Sequence, residues 1–219
     1  MELLTPLQQT LLKAVGQSAL AETFYLTGGT ALSAFYLGHR YSEDLDFFTA
    51  DPRAVNRVAP ILQEIATQLP ARITFTRILG SFLECFVDDA QERVKLDFAQ
   101  DTPYRLQPLW RHDEYQVYLD SLADIAANKL AALFDRAEPK DFVDVYFLCQ
   151  REFTFSSLLA LARQKHIGMD DYWLAVALQR SRSLALLPRM IQPLSRTDMQ
   201  AFFLQQAEQL MSSTGDSPY

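Results

Sequence analysis

Residues 24–48, FYLTGGTALSAFYLGHRYSEDLDFF, decide the fold because they predict a strand, a turn, a helix and a second strand in direct succession. The apolar residues 24–26 predict a short strand, and Gly28 and Gly29 follow it. A glycine pair is an ordinary link between a strand and a helix. It also lets the backbone approach a phosphate closely where the following helix supplies N–H donors. The turn therefore predicts a strand–helix junction, and a phosphate cradle is one of its two interpretations.

Aspartates follow on two predicted strands. Asp44 and Asp46 are two residues apart on the strand over residues 44–48, and they therefore share one face. Residues 94–98, VKLDF, repeat the alternation and place Asp97 on an outward face. If the two strands are neighbours, three carboxylates converge and repel one another, which favours a bound cation. The alternative is three aspartates that face solvent at strand ends.

The cation that such carboxylates favour is Mg²⁺, whose shell is completed by water and substrate phosphates. Two such ions can hold the attacking and leaving oxygens of a phosphoryl displacement. The order of strand, glycine turn, helix, Asp-x-Asp strand and single Asp on a later strand is more specific than any of its parts. It supplies a phosphate cradle, two metal ligands and a third carboxylate beside an acceptor hydroxyl. The order therefore predicts nucleotidyl transfer.

The remaining predicted elements divide the chain into an α/β half and a helical half. Asp51-Pro52 predicts a helix start, an N-cap followed by proline, with the helix ending near Leu69. From Ser121 onward the pattern is helical throughout, and Pro139 begins a second helix. The other predicted strands cover residues 72–79, 81–87 and 94–99. We expect an α+β fold with an α/β core over residues 1–120, a helical region over residues 121–211 and a flexible tail over residues 212–219.

Composition excludes several classes of protein. Of the 219 residues, 49% are hydrophobic and 12% are aromatic, which rules out a disordered chain. No apolar run approaches the roughly 18 residues of a membrane helix, and two cysteines cannot form a disulfide framework. We therefore expect a cytoplasmic protein with no membrane partner. A net charge of −7 argues against non-specific coating of nucleic acid, whereas the basic stretch from Arg163 to Arg196 either docks an RNA or forms a solvated helix face.

Three separated motifs resemble the AbiEii/AbiGii-type nucleotidyltransferase toxins. They are YLTGGTAL with HRYSEDLDFF at residues 25–32 and 39–48, KLDF at residues 95–98, and DIAANKLAAL with KDFVDVYFL at residues 124–133 and 140–148. The resemblance implies a polymerase-β-like nucleotidyltransferase fold, with a mixed sheet and flanking helices, and a nucleoside triphosphate as substrate. It also implies Mg²⁺, with Mn²⁺ as an alternative. The setting that it implies is a toxin–antitoxin or phage-defence system, in which characterised relatives modify tRNA acceptor ends.

The charged residues of the second half have two interpretations each. Lys129 and Arg136 are two helical turns apart, and a lysine there is either solvated or reaches the β and γ phosphates of a nucleotide. Asp141 and Asp144 open the next helix, where the helix dipole favours acidic residues. We expect these two carboxylates to hold Lys129 or Arg136 in place rather than to bind a metal.

His39 and Arg40 precede the Asp-x-Asp strand. We expect them to hold Asp44 and Asp46 in place, and contact with the nucleotide is the alternative. The candidate residues then form three groups. The catalytic and metal-binding residues are Asp44, Asp46 and Asp97. The nucleotide-binding residues are Gly28, Gly29, Thr30, Lys129 and Arg136. The supporting residues are His39, Arg40, Ser42, Lys140, Asp141 and Asp144.

The predicted function is Mg²⁺-dependent transfer of a nucleoside monophosphate from a nucleoside triphosphate to an acceptor hydroxyl. RNA, at a tRNA acceptor end, is the expected acceptor, and an antitoxin is a further expected partner. The acceptor could instead be a protein or a cationic small molecule such as an aminoglycoside, which the acidic first half would suit. A third interpretation is an inactive relative that binds a partner or a nucleotide. The presence of all three aspartates argues against it, because a binding module has no reason to keep three carboxylates that repel one another.

Overall fold

The computed structural model describes residues 3–214, with side chains described to residue 212. The chain divides into two compact units. Unit 1 comprises the described residues up to Tyr36 together with Ser42–Ser121, and unit 2 comprises Leu37–Tyr41 together with the described residues from Leu122 onward. Of the tail predicted over residues 212–219, residues 212–214 belong to the last helix, and residues 215–219 lie outside the described residues.

Unit 1 is built on a seven-stranded mixed sheet with the strand order β3-β4-β5-β2-β1-β7-β6. The pairs β2–β5 and β1–β7 are parallel, and the other neighbouring pairs are antiparallel. The strands are β1 (Tyr25–Thr27), β2 (Asp44–Thr49), β3 (Arg72–Leu79), β4 (Phe82–Asp88), β5 (Arg93–Gln100), β6 (Trp110–Arg111) and β7 (Tyr118–Leu119). Its helices are α1 (Pro6–Gly16), α2 (Gly28–Leu32), which continues as a π-helical turn over Ser33–Leu37, and α3 (Val58–Gln68).

Alternation along the central strands separates a buried face from a polar one. In β2 and β5, Leu45, Phe47, Leu96 and Phe98 are fully buried, while the residues between them are partly exposed. The rings of Phe47 and Phe98 stack with centroids 5.1 Å apart. Burying side chains of this size contributes roughly 1.5–3 kcal/mol each. This burial fixes the register, because a shift by one residue would turn the whole apolar set toward solvent.

Unit 2 is a set of helices that packs around α4. The helix α4 contacts α5, α6 and α7, and α8 packs along α7. The segment Leu37–Tyr41 belongs to this unit and is tied to it by an antiparallel bridge between Arg40 and Met190. The helices are α4 (Leu122–Asp135), α5 (Pro139–Arg151), α6 (Phe155–Lys165), α7 (Asp171–Gln179) and α8 (Arg196–Thr214). None of the helices within residues 3–214 combines the length and the apolar character that a bilayer crossing requires.

The predicted α+β class is confirmed, and one helix start was predicted wrongly. The helix expected at Asp51-Pro52 begins instead at Val58, after a short 3-10 turn over Val55–Arg57. The reason is Pro60, which is tolerated in the first turn of a helix but would break a helix that began at residue 52. The strands β6 and β7 were not predicted, because two-residue strands are too short to show alternation.

Candidate active site

The partly exposed face of the unit 1 sheet carries a row of polar residues. Asp46 on β2 and Asp97 on β5 are register partners in a parallel pair. Thr27 on β1 is the register partner of Asp46, and Glu84 on β4 is that of Asp97. Asp44 lies two residues before Asp46 and therefore on the same face. The strands that carry the three predicted catalytic aspartates are thus neighbours.

A lysine is part of this acidic face. The Nζ atom of Lys95 lies 2.7 Å from Oδ2 of Asp97 and 3.4 Å from Oδ2 of Asp44. Burial raises the pKa of Asp97, as do Asp44 and Glu84, and Lys95 opposes the shift. Burial opposes the charge of Lys95, but its carboxylate neighbours outweigh burial, and the pKa of the ammonium is raised. Lys95, Asp97 and Asp44 therefore form one cluster, in which Lys95 and Asp97 affect each other's pKa and Asp44 affects the pKa of both.

The glycine turn is packed directly against the Asp-x-Asp strand. Gly28 has a φ of +73°, and a Cβ built on it would lie 2.0 Å from Oδ2 of Asp46. Only glycine fits, because any side chain would collide with the carboxylate and would adopt a strained backbone. The hydroxyl of Thr30 donates to the backbone carbonyl of Asp44. Gly28 and Thr30 therefore fix the positions of the two β2 aspartates.

The backbone before β2 is held by Gln8, a residue that no sequence motif indicates. The side-chain amide of Gln8 is fully buried and donates to the carbonyl of Ser42 at 2.9 Å and to that of Glu43 at 3.2 Å. Ser42, predicted as a supporting residue, thus contributes its backbone carbonyl here. Gln8 anchors the start of β2 from α1.

A second polar cluster adjoins the row at β1 and was also missed. The hydroxyl of Thr27 donates to Oδ2 of Asp120 at 2.8 Å, and Nη1 of Arg105 donates to Oδ1 of the same carboxylate at 2.8 Å. The Arg105 guanidinium lies 3.9 Å from the centroid of the Tyr25 ring. Burial, and then the nearby Asp101, raises the pKa of Tyr25. Arg105 comes from an irregular segment, so no periodic pattern could have indicated it.

In unit 2, Asp144 is the centre of a buried ionic cluster. Its carboxylate lies 2.7 Å from Nε2 of His39 and 2.7 Å from Nζ of Lys129, and it accepts from Nε and Nη2 of Arg40 at 2.6 and 2.8 Å. Burial opposes the charge of Asp144, but Lys129, Arg40 and His39 outweigh it and hold the pKa well below its usual range. Burial lowers the pKa of His39 despite the carboxylate.

This cluster corrects one prediction and matches another. His39 and Arg40 were expected to hold Asp44 and Asp46, whereas both bind Asp144. A local pattern could not show a partner 105 residues away from His39. Lys129 is paired with Asp144, as the spacing suggested, and is only 7% exposed.

The ion pair between Arg136 and Asp141 is more exposed than the Asp144 cluster. Nε and Nη2 of Arg136 each lie 2.8 Å from a carboxylate oxygen of Asp141, which is fully buried. The side chain of Arg136 itself is 46% exposed. Lys140 pairs with Glu138 at 3.3 Å. Asp144 therefore holds Lys129 of α4, and Asp141 holds Arg136, which directly follows α4. Lys140 contacts neither carboxylate among the ion pairs of the described residues.

The basic stretch between Arg163 and Arg196 is partly used inside unit 2. Arg163 pairs with Asp171, and the buried Lys165 pairs with Asp124 at 2.8 Å. The guanidinium of Arg196 donates to backbone carbonyls, and that of Arg189 lies over the ring of Tyr41 at 4.1 Å. Arg180 and Arg182 are both exposed, and no ion pair of their side chains is found among the described residues. Most of the cations in this stretch therefore take part in contacts within unit 2.

The donor set of unit 1 fits a divalent cation in its chemistry. Within residues 3–214, no three His, Cys, Asp or Glu side chains stand close enough together to hold a metal ion without rearrangement. However, Oδ1 of Asp97 is buried and has no hydrogen-bond partner among the described residues. Asp44, Asp46 and Asp97 share one face, and a cation, the Lys95 ammonium, already lies against two of them. Carboxylate oxygens of this kind are suited to Mg²⁺ or Mn²⁺.

The family model of the AbiEii proteins, described as the nucleotidyl transferase AbiEii toxin of a Type IV TA system, matches residues 10–216. The chain belongs to this family. It is therefore a nucleotidyltransferase of a toxin–antitoxin family, and the resemblance seen in its motifs is confirmed. A relative from Aquifex aeolicus, the uncharacterized protein aq_aa25, is 27% identical over 169 residues, which are 74% of this chain and 76% of the relative.

Several solved structures share the fold of this chain. A protein of H. pylori described as a nucleotidyltransferase has a TM-score of 0.65 at 17% identity, with 97% of this chain and 95% of that chain covered. MenT4, a nucleotidyltransferase toxin from Mycobacterium tuberculosis, has a TM-score of 0.56 at 16% identity, with 94% and 82% covered. At these identities the likeness shows the fold, and it confirms the predicted nucleotidyltransferase architecture.

Proposed function

We propose that the chain transfers a nucleoside monophosphate from a nucleoside triphosphate to an acceptor hydroxyl, with Asp44, Asp46 and Asp97 as the catalytic residues. The observation that carries the proposal is the sheet face of unit 1. There the three aspartates lie on neighbouring strands, and Gly28 packs against the Asp46 carboxylate. The absence of a side chain at Gly28 lets the turn pack this closely against the carboxylate, and we place the phosphates beside Asp46 rather than in the space of the missing side chain.

The same three carboxylates would hold Mg²⁺, with Mn²⁺ as an alternative. A divalent ion bound there polarises the phosphate under attack and neutralises the charge that develops on it. The chain itself supplies the turn at Gly28-Gly29 and Thr30, over which we place the triphosphate. Asp97 is the group that receives the proton of the acceptor hydroxyl, and its buried Oδ1 has no hydrogen-bond partner among the described residues.

In the proposed transfer, the acceptor oxygen forms a bond to the α-phosphorus, and its proton passes to Asp97. The bond between the α-phosphorus and the oxygen that bridges it to the β-phosphorus breaks. Pyrophosphate leaves with the electron pair of that bond. Catalysis of this kind depends on positioning and on stabilisation of charge rather than on a covalent intermediate.

We also propose that Lys129 and Arg136 neutralise the phosphates of the nucleotide, because the resemblance to the family favours this role over that of a solvated cation. Asp144 holds Lys129 at 2.7 Å, and Asp141 holds Arg136, whose side chain is 46% exposed.

RNA is the acceptor that we propose, and family membership also implies an antitoxin that counteracts the transfer. The support is an exposed surface on and after α7. Trp173 is 61% exposed and Tyr172 48% exposed, with ring centroids 5.2 Å apart, and Arg180 and Arg182 follow at the end of the helix. Exposed aromatic rings stack on bases, while arginines bind phosphates. A single-stranded RNA end satisfies both features.

The transfer is tested by incubating the purified protein and Mg²⁺ with total tRNA and each of the four nucleoside triphosphates, radiolabelled at the α-phosphate. We expect label in tRNA with one or a few nucleotides, and its loss when EDTA is added. Label in a protein or a small-molecule acceptor instead would remove RNA from the proposal. Nucleotide binding without transfer to any acceptor would favour an inactive relative.

The RNA surface is tested with Arg180→Glu and Arg182→Glu together. We expect the double variant to bind tRNA at least about tenfold more weakly, because two phosphate contacts become repulsive, and to bind nucleotide unchanged. A matched control is Arg53→Glu with Arg57→Glu, an equal change of charge at exposed positions of unit 1. Equal loss of RNA binding in both double variants would show an effect of net charge alone.

A further inference from the structure

Lys95 occupies a place on the acidic face that the proposed reaction does not use. It is the register partner of Asp44 on the neighbouring strand, and its ammonium contacts the carboxylates of Asp97 and Asp44 at 2.7 and 3.4 Å. Its side chain is 23% exposed. An ammonium at this position touches two of the three carboxylates that a divalent cation would require.

The arrangement makes the lysine and the metal alternatives to each other. Asp97 uses Oδ2 for Lys95, while its Oδ1 is buried and has no hydrogen-bond partner within residues 3–212. The backbone of Lys95 is fixed in the sheet between β2 and β4, so only rotation of the side chain can withdraw the ammonium. An ammonium and a divalent ion bound to the same two carboxylates would repel each other strongly in this partly buried site.

We propose that Lys95 is a resident cation that competes with the divalent ion for Asp44 and Asp97. The ion then binds tightly only when an anionic triphosphate is present to draw the ammonium away. The competition rests on the metal assignment of the proposed function. Its consequence is that metal binding is coupled to nucleotide binding, because the same lysine neutralises the acids in one state and the phosphates in the other.

The test measures binding of Mn²⁺ to the full chain by isothermal titration calorimetry, first without nucleotide. Lys95→Met removes the charge at similar length and should bind Mn²⁺ at least about tenfold more tightly than the wild type. Lys95→Arg keeps the charge and should bind within about threefold of the wild type. Arg93→Met, two residues earlier on the same strand and exposed, is the matched control and should change nothing. Equal Mn²⁺ affinity in the wild type and Lys95→Met would overturn the competition.

The second measurement repeats the titration with the non-hydrolysable α,β-methylene analogue of each nucleoside triphosphate. The wild type should gain more Mn²⁺ affinity from the analogue than Lys95→Met does, because only the wild type must displace its lysine. An equal gain in both would overturn the coupling to nucleotide. Asp97→Asn separates this inference from the proposed function: unchanged Mn²⁺ affinity in that variant would overturn the metal assignment itself.

Discussion

Replacing Asp144 by asparagine removes one negative charge from the interior of unit 2 and leaves its partners in place. The carboxylate is fully buried and lies within 2.6–2.8 Å of nitrogen atoms of His39, Arg40 and Lys129. Arg40 is 4% exposed and Lys129 is 7% exposed, so neither cation can be solvated where it stands. An amide in this position places N–H donors against donors that already crowd the site.

The magnitude follows from the burial of both cations. Removing one partner of a buried ion pair costs about 3–5 kcal/mol, because the other charge stays buried without compensation. Here two cations lose the same carboxylate, so we expect a loss of about 4–5 kcal/mol in the free energy of unfolding. Since stable domains have about 5–15 kcal/mol in total, the variant should be marginally folded.

Asp141→Asn is the matched control, three residues earlier on the same helix. Asp141 is equally buried, but its partner Arg136 is 46% exposed and can turn to water. We expect a smaller loss of about 1–2 kcal/mol for this variant. Urea unfolding near neutral pH and at low salt, followed by far-UV circular dichroism, measures both.

Adding Lys129→Met to Asp144→Asn should recover part of the loss, because one of the stranded charges is removed. A recovery of about 1–2 kcal/mol would show that the cost comes from the uncompensated cation. If Asp144→Asn were no more destabilising than Asp141→Asn, burial of the partners would not be the source of the stability, and the reasoning would be refuted.

Two further predictions concern the glycine turn and the buried histidine. Gly28→Ala should reduce nucleotidyl transfer at least about tenfold, because the new Cβ would displace the Asp46 carboxylate. Gly80→Ala, where a Cβ meets no atom within 4 Å, should leave the transfer rate unchanged, and equal rates in both variants would contradict the positioning of Asp46 by Gly28. Because the pKa of His39 is lower in the folded state, the unfolded state binds a proton first as the pH falls below 6.5. The free energy of unfolding of the wild type should therefore decrease below that pH, by at most about 1.4 kcal/mol per pH unit. His39→Gln, which can still donate to Asp144, should lack that part of the pH dependence in thermal unfolding, and identical pH profiles would refute the assignment.

The central part of the fold could be predicted because its pattern is local. Alternation in β2 and β5 separates Leu45 and Phe47 from Asp44 and Asp46, and burial of one face leaves a single register. The same alternation already placed Lys95 and Asp97 on one face. Their contact follows directly from that spacing.

Other contacts could not be predicted because their partners are far apart in the chain. His39 and Arg40 lie in a short segment of unit 2, and their carboxylate comes from α5, more than a hundred residues later. Arg105 and Asp120 come from irregular backbone around β6 and β7, where neither period is visible. Pro60 was a usable signal for the start of α3, since proline is confined to the first turn of a helix.

The most direct test of the proposed site compares nucleotidyl transfer by Asp46→Asn and Glu84→Gln. Both changes neutralise a carboxylate in the same cross-strand row, but Glu84 is hydrogen-bonded to the hydroxyl of Thr76 and is not assigned a catalytic role. We expect Asp46→Asn to lower the transfer rate by more than about a hundredfold, and Glu84→Gln to stay within about threefold of the wild type. Comparable rates in the two variants, with both folded, would contradict the assignment of the active site to Asp44, Asp46 and Asp97.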